Sequence, residues 1–221
     1  MRYDSIFDVA GHIMVGPSSS HTAGACRIGY IAQLLLGTSP KEVKIFLHGS
    51  FADTYRGHKT DVAIIGGLLG FPPYDERLPH SFQLAEKMGL QFTFASRDLG
   101  LDYHPNTVLI EMQTDQETLS IIGSSIGGGN IVIEEINGLE AGFDGDSPTI
   151  IEVHKDIRGM LANISSVISI MGLQIKEMHL SRNIRKGIAM SWIECSQPIS
   201  KEIQEALENI PDMISVRCLN V

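Results

Sequence analysis

The stretch NGLEAGFDGDSP at residues 137–148, rich in Gly, Asp, Asn and Pro, separates two regions whose hydrophobic rhythms differ. Beyond it, residues 149–154 alternate in an Ile- and Val-rich run, residues 159–171 carry apolar side chains at helical spacing, and Gly172 closes that helix. Residues 173–180 and 188–195 read as strands joined by the polar turn 181–187. Ser200 then caps a helix that runs to Ile210, Pro211 follows its last turn, and residues 213–221 supply a last strand. Strand, helix, strand, strand, helix, strand within about 70 residues is the split β-α-β order of ferredoxin-like domains. The expected fold class is therefore α+β, with a first domain over residues 1–140 and a βαββαβ domain over 148–221.

The first region mixes its elements. Periodicity predicts helices over 26–36, 61–69 and 81–88, and short strands over 43–48, 91–95, 108–112, 119–122 and 131–136. It has no internal repeat, no low-complexity tract and no Rossmann glycine fingerprint. A formal net charge of -9 without a basic cluster argues against sequence-independent nucleic-acid binding, which needs a cationic face to release counterions. The start lacks a basic leader and no long uncharged apolar run follows, so a cytoplasmic protein is expected, without membrane or nucleic-acid partners. The cysteines, Cys26, Cys195 and Cys218, lie far apart and form no Cys-x-x-Cys pair, so no metal site can be written from them.

Several turns carry chemistry-bearing residues. Ser18, Ser19, Ser20, His21 and Thr22 follow Gly16 and Pro17 and run into a helix expected to begin near His21. Hydroxyls at a helix start, with unpaired N–H groups and a positive dipole end, make a seat for a carboxylate; they also serve as ordinary caps. The segment GSFADTYRGHKTD, residues 49–61, reads as a second hydroxyl-and-glycine turn containing His58, whose imidazole can take or give a proton near neutral pH. His104 and Asn106 flank Pro105, which restrains the turn; the amide can both donate and accept toward an amino acid, or close an Asx turn. Ser125, Gly127 and Gly128 belong to SSIGGGN, residues 124–130, whose glycines let backbone approach a ligand, another chain, or simply a hairpin tip.

Taken together and in order, GPSSSHT, GSFADTYRGHKTD, HPNT and SIGGG resemble the beta portion of iron-sulfur L-serine dehydratases over essentially the full chain. The closing region resembles an ACT domain, with Gly159 in the strand-to-helix loop where that family commonly binds amino acids. Here Arg158 stands where the family often has Pro. Arg158 and Gly159 are thus the expected regulatory ligand site, the alternative being that Gly159 only permits a tight turn.

The resemblance implies a first domain similar to the allosteric substrate-binding domain of some phosphoglycerate dehydrogenases, and an L-serine ammonia-lyase active only with an alpha subunit. That partner's cysteines would hold a [4Fe-4S] cluster, no pyridoxal phosphate would be needed, and a beta-beta contact would lie within a larger oligomer. Residue by residue, it places Ser18, Ser19, Ser20, His21 and Thr22 at the substrate carboxylate, His58 at proton transfer, and His104 with Asn106 near the amino acid. Ser125, Gly127 and Gly128 would line the same cleft. A competing reading is a stand-alone serine-binding ACT-type regulatory module without catalysis.

Overall fold

The computed structural model describes residues 14–221, and its contacts divide the chain into two compact units, Met1–Gly138 and Leu139–Val221. In the first unit β1 (Glu42–Leu47) pairs parallel with β2 (Gln91–Ser96) and antiparallel with β3 (Thr107–Gln113). β3 continues antiparallel into β4 (Thr118–Gly127), which folds back as β5 (Asn130–Ile136), giving the order β2-β1-β3-β4-β5. Strand alternation puts Val43, Ile45, Val108 and Ile110 on one face, all buried.

That face receives the helices. Ile28 of α1 (Ala25–Leu36) lies against Gly123 on β4, where an added Cβ would stand 2.7 Å from its Cγ2. Phe82 of α4 (Ser81–Lys87) packs on Phe92 and Phe94 at ring separations of 5.2 and 6.3 Å. Between them α3 (Thr60–Leu68) reads TDVAIIGGL, apolar nearly all round, as befits a helix largely enclosed, with only Asp61 and Val62 half-buried. It meets α1 backbone to backbone: a Cβ on Gly67 would lie 2.1 Å from the Cys26 carbonyl oxygen, and one on Gly29 2.4 Å from that of Ile64. Any larger residue at either position would drive the two helices apart.

Residues 49–61, expected as a turn, instead form a helix, α2 (Gly49–His58), broken from α3 by Lys59 at φ 59°. Its sequence is polar and weakly helical, but Phe51 is fully buried and its N–H donates to the Pro105 carbonyl. Tertiary anchoring overrides the local propensity. The hydroxyl-rich turn also differs: the helix begins at Ser19, with a π-helical opening over Ser19–Gly24 that leads into α1. Both the Thr22 and Ala23 N–H groups donate to the Ser18 carbonyl, at 3.0 and 3.2 Å. Such widened turns have no sequence signature.

The second unit starts with a short strand, β6 (Leu139–Phe143), inside the segment read from sequence as a linker. Then come β7 (Thr149–Lys155), α5 (Met160–Ile170), β8 (Ile175–Asn183), β9 (Ile188–Cys195), α6 (Lys201–Glu208) and β10 (Met213–Leu219). The order β10-β7-β9-β8, antiparallel throughout, is the ferredoxin-like split β-α-β arrangement. Ser200 accepts from the Ile203 N–H and so caps α6. Ile150, Ile164, Ile168, Ile193, Ile203 and Leu207 form the core beneath the helices. Among the described residues no helix is long and apolar enough to cross a membrane.

Candidate functional site

The first unit brings together residues that the sequence scatters from position 18 to position 125. Ser18 caps the opening helix by accepting from the His21 N–H at 3.1 Å. His21 Nε2 lies 3.1 Å from Ser50 Oγ at the start of α2, and its ring meets the edge of Phe51 at 5.4 Å. The same ring lies 4.7 Å, centroid to centroid, from the imidazole of His58 at the other end of α2. This is geometrically natural: Ser50 and His58 share one face of the helix two turns apart, and helical side chains lean toward the N-terminus. Thr22 ties the ensemble together, donating its hydroxyl to the His58 carbonyl at 2.9 Å.

The third motif joins through the backbone. Gly49, at φ 50°, approaches Pro105 so closely that a Cβ there would stand 2.7 Å from the Pro105 carbonyl oxygen. The Asn106 N–H donates to His104 Nδ1 at 3.1 Å, so Nδ1 is an acceptor and the neutral ring carries its proton on Nε2. Thr107 donates to the His104 carbonyl at 2.6 Å and shares a 2.6 Å contact with Ser124 Oγ. The Asn106 carbonyl accepts from the Ser125 N–H at 2.9 Å, so the fourth motif lies next to the third.

Ser125 also contacts the first motif. A Cβ on Gly24 would fall 2.0 Å from Ser125 Oγ, so only glycine lets the π turn settle over β4. Gly127 and Gly128, both at positive φ, open the β4–β5 hairpin turn, and Gly129 gives its carbonyl to Arg27 at 3.0 Å. Sequence reasoning named these motifs but passed over Ser50 and Gly24. The only local trace of Ser50 is its place just after Gly49, and Gly24 carries none.

The electrostatics favour neutral, unsatisfied groups here. Burial first, and then the neighbouring His58, lower the pKa of His21 below the ordinary histidine value, so its ring is neutral at neutral pH. Burial raises the pKa of the Asp61 carboxyl against the opposing pull of the Val62 N–H, Lys59 and Arg56. His58 Nδ1, Thr60 Oγ1 and Ser125 Oγ are buried without a hydrogen-bond partner. Buried polar atoms without partners are costly, so these three would gain from a further partner such as a ligand or a water. Thr22 and Lys59 also border a recess of about 260 Å³ lined by Val62, Ala63 and Leu78. Another concavity, lined by Lys44, Glu111 and Ser120, contains none of these motif residues.

The thiols do not fit an iron-sulfur cluster. Cys26 is fully buried, its Sγ donates to the Phe71 carbonyl, and burial pushes its pKa to about 12. Cys195 and Cys218 lie in the other unit, with pKa values pushed mainly by burial to about 11 and about 12. Cluster ligation takes converging thiolates. Among the described residues no group of three or more His, Cys, Asp or Glu side chains is disposed to hold a metal ion.

In the second unit Gly159 adopts φ 85° as the residue before α5, with no atom within 4 Å of an added Cβ, and Arg158 is exposed beside it. The preceding loop is fixed by Asp156, which accepts three hydrogen bonds from the Arg182 guanidinium at 2.7 to 3.0 Å.

A family model described as serine dehydratase beta chain matches residues 5–88. The chain is 42% identical over 216 residues to the probable L-serine dehydratase beta chain of Bacillus subtilis (strain 168), with 98% of each covered. The chain belongs to the L-serine dehydratase beta-chain family. A further family member, the L-serine dehydratase beta chain of Peptoniphilus asaccharolyticus, is 38% identical, again with 98% of each chain covered. The family likeness extends into longer proteins: 161 residues are 34% identical to L-serine dehydratase TdcG of Escherichia coli (strain K12), covering 61% of this chain and 35% of that one.

Proposed function

We propose that this chain is the beta subunit of an L-serine dehydratase, which holds L-serine and removes its α-proton while a separate alpha subunit bears a [4Fe-4S] cluster. The observation that carries this reading is the convergence of the 18–22 turn, Ser50, His58, the 104–107 turn and Ser125 within one unit. The Ser18, Ser19, Ser20, His21 and Thr22 turn receives the carboxylate at the start of the helix, where the positive end of the helix dipole favours an anion. His104, a donor through Nε2, and Asn106 face the amino acid beside it. His58 accepts the α-proton. Loss of the β-hydroxyl as water leaves 2-aminoacrylate, which tautomerises to the imine and hydrolyses to pyruvate and ammonia.

The cluster is assigned to the partner because this chain's thiols have raised pKa values, are buried or half-buried, and are divided between two units. The longer relative, of which this chain spans 35%, supports a second portion supplied elsewhere in the assembly. The second unit is read as an ACT-type module, with Arg158 and Gly159 at its effector loop. The test is anaerobic co-expression with the alpha chain encoded by the same genome. The pair is expected to form pyruvate from L-serine, while this chain alone is colourless and inactive. Visible iron-sulfur absorption in the isolated chain, or an intact pair that yields no pyruvate, would overturn the proposal.

A further inference from the structure

We infer that Ser50 is a positioning residue that acts through His21 to hold the His58 imidazole in its reactive orientation. This deepens the proposed function and rests on its assignment of proton transfer to His58. The backbone of His58 is already fixed, since its carbonyl accepts from Thr22 and the residue ends α2. Its ring is not held by a hydrogen bond at Nδ1, which is buried and unpartnered. What borders the ring is the His21 imidazole, at 4.7 Å and tilted by 35°.

The orientation of His21 therefore decides that of His58, and His21 is held in turn from two sides. Phe51 meets it edge-on at 5.4 Å, and Ser50 Oγ reaches its Nε2 at 3.1 Å. The phenyl contact is apolar and leaves rotation about the ring axis soft, whereas the hydroxyl contact names one nitrogen and so fixes ring rotation, since a hydroxyl can pair with Nε2 as donor or as acceptor. Ser50 is itself rigid, at the first turn of α2, where its carbonyl accepts from Thr54 Oγ1 at 2.7 Å. The chain of control runs from helix start to Ser50, to His21, to His58. A hydroxyl at position 50 is more than a cap, because the residue before the helix, His48, makes no side-chain cap bond and Ser50 turns its oxygen to the imidazole instead.

The test uses the assembled two-chain enzyme and the full-length chain. In Ser50→Ala, kcat on L-serine should fall roughly 10- to 100-fold, the scale of a small misplacement of a reacting group, with KM within about twofold of wild type. Ser50→Thr, which keeps the hydroxyl, should recover most of the loss. In a His58→Asn background Ser50→Ala should add nothing further, because the residue through which it acts is already gone. Independently of turnover, the ¹⁵N resonances of the His21 ring in the labelled chain should shift in Ser50→Ala and return in Ser50→Thr. Unchanged kcat in Ser50→Ala, or losses that simply multiply with His58→Asn, would overturn the inference. Full activity in His58→Asn alone would instead defeat the functional reading on which it rests, so the two failures are distinguishable.

Discussion

Replacing His58 with Asn should lower kcat on L-serine by about 10²- to 10⁴-fold in the assembled enzyme, the range lost when a positioned proton-transfer group is removed. Asn keeps a polar planar side chain at the end of α2 and leaves the backbone bond from Thr22 to the residue-58 carbonyl in place. The fold and the proposed carboxylate seat are therefore retained, and KM should change little. The effect should exceed that of any single serine in the 18–22 turn, because in the proposed roles several groups share the work of holding a carboxylate, while one imidazole moves the proton. The measurement is steady-state pyruvate formation by wild type and variant at equal cluster content. A variant retaining more than a tenth of wild-type kcat contradicts the role given to His58.

The second large effect concerns stability and lies in the other unit. Strand alternation on β7 turns Ile150, Glu152 and His154 toward the core, and Glu152 is completely buried there. Its Oε2 accepts from Ser191 at 2.9 Å, and Oε1 has no partner. Burial, only partly offset by the Ser191 bond, pushes its pKa from 4.5 up to about 7. In the unfolded chain the group ionises near 4.5, so between 4.5 and 7 the folded state binds more protons than the unfolded state. The stabilisation is thus complete below pH 4.5 and is lost as pH rises through about 7, a span equivalent to roughly 3 kcal/mol.

Glu152→Gln should abolish that slope while its amide oxygen still accepts from Ser191. At pH 8 the variant should be more stable than wild type by up to about 3 kcal/mol, converging with it near pH 4.5. Cys195 and Cys218 on neighbouring strands remain as further titratable groups of this core. Denaturant unfolding of the full chain across pH 4.5 to 8, followed at Trp192, which lies in this unit, reports the difference. Parallel stability curves for the two proteins would contradict the account.

The two units were not equally legible in the sequence. In the second, local signals agree with the fold: Ser200 caps α6, apolar residues recur at helical spacing in α5, and β9 spans the residues expected for it. In the first, local and tertiary preferences conflict. GSFADTYRGH has the composition of a turn and becomes helical because Phe51 is buried and bonded to the 104–107 turn. β4 runs on through Ser124 and Ser125 to Gly127, residue types that strands disfavour, because β3 and β5 pair with it there. β6 lies within a stretch whose Gly and Asp content masks it.

The site follows the same division. The residue types able to do the chemistry were visible as motifs, since hydroxyls, imidazoles and glycines announce themselves by composition. The contacts that make one site of them were not: Ser50 against His21, Gly24 against Ser125 and Gly49 against Pro105 are each defined only by the folded backbone. The widened opening of the first helix, whose Thr22 reaches the His58 carbonyl, likewise shows only in the folded chain.

The claim beneath all of this is that one amino acid sits with its carboxylate at the 18–22 turn and its Cα toward His58. A crystal structure of the two-chain enzyme carrying His58→Asn, grown with L-serine so that substrate persists, tests it most directly. The account predicts the carboxylate against Ser18, Ser19, Ser20 and Thr22, with Cα turned to position 58 and the β-hydroxyl toward the partner chain. L-Serine bound elsewhere, with the 18–22 turn and position 58 open to bulk water, would contradict it.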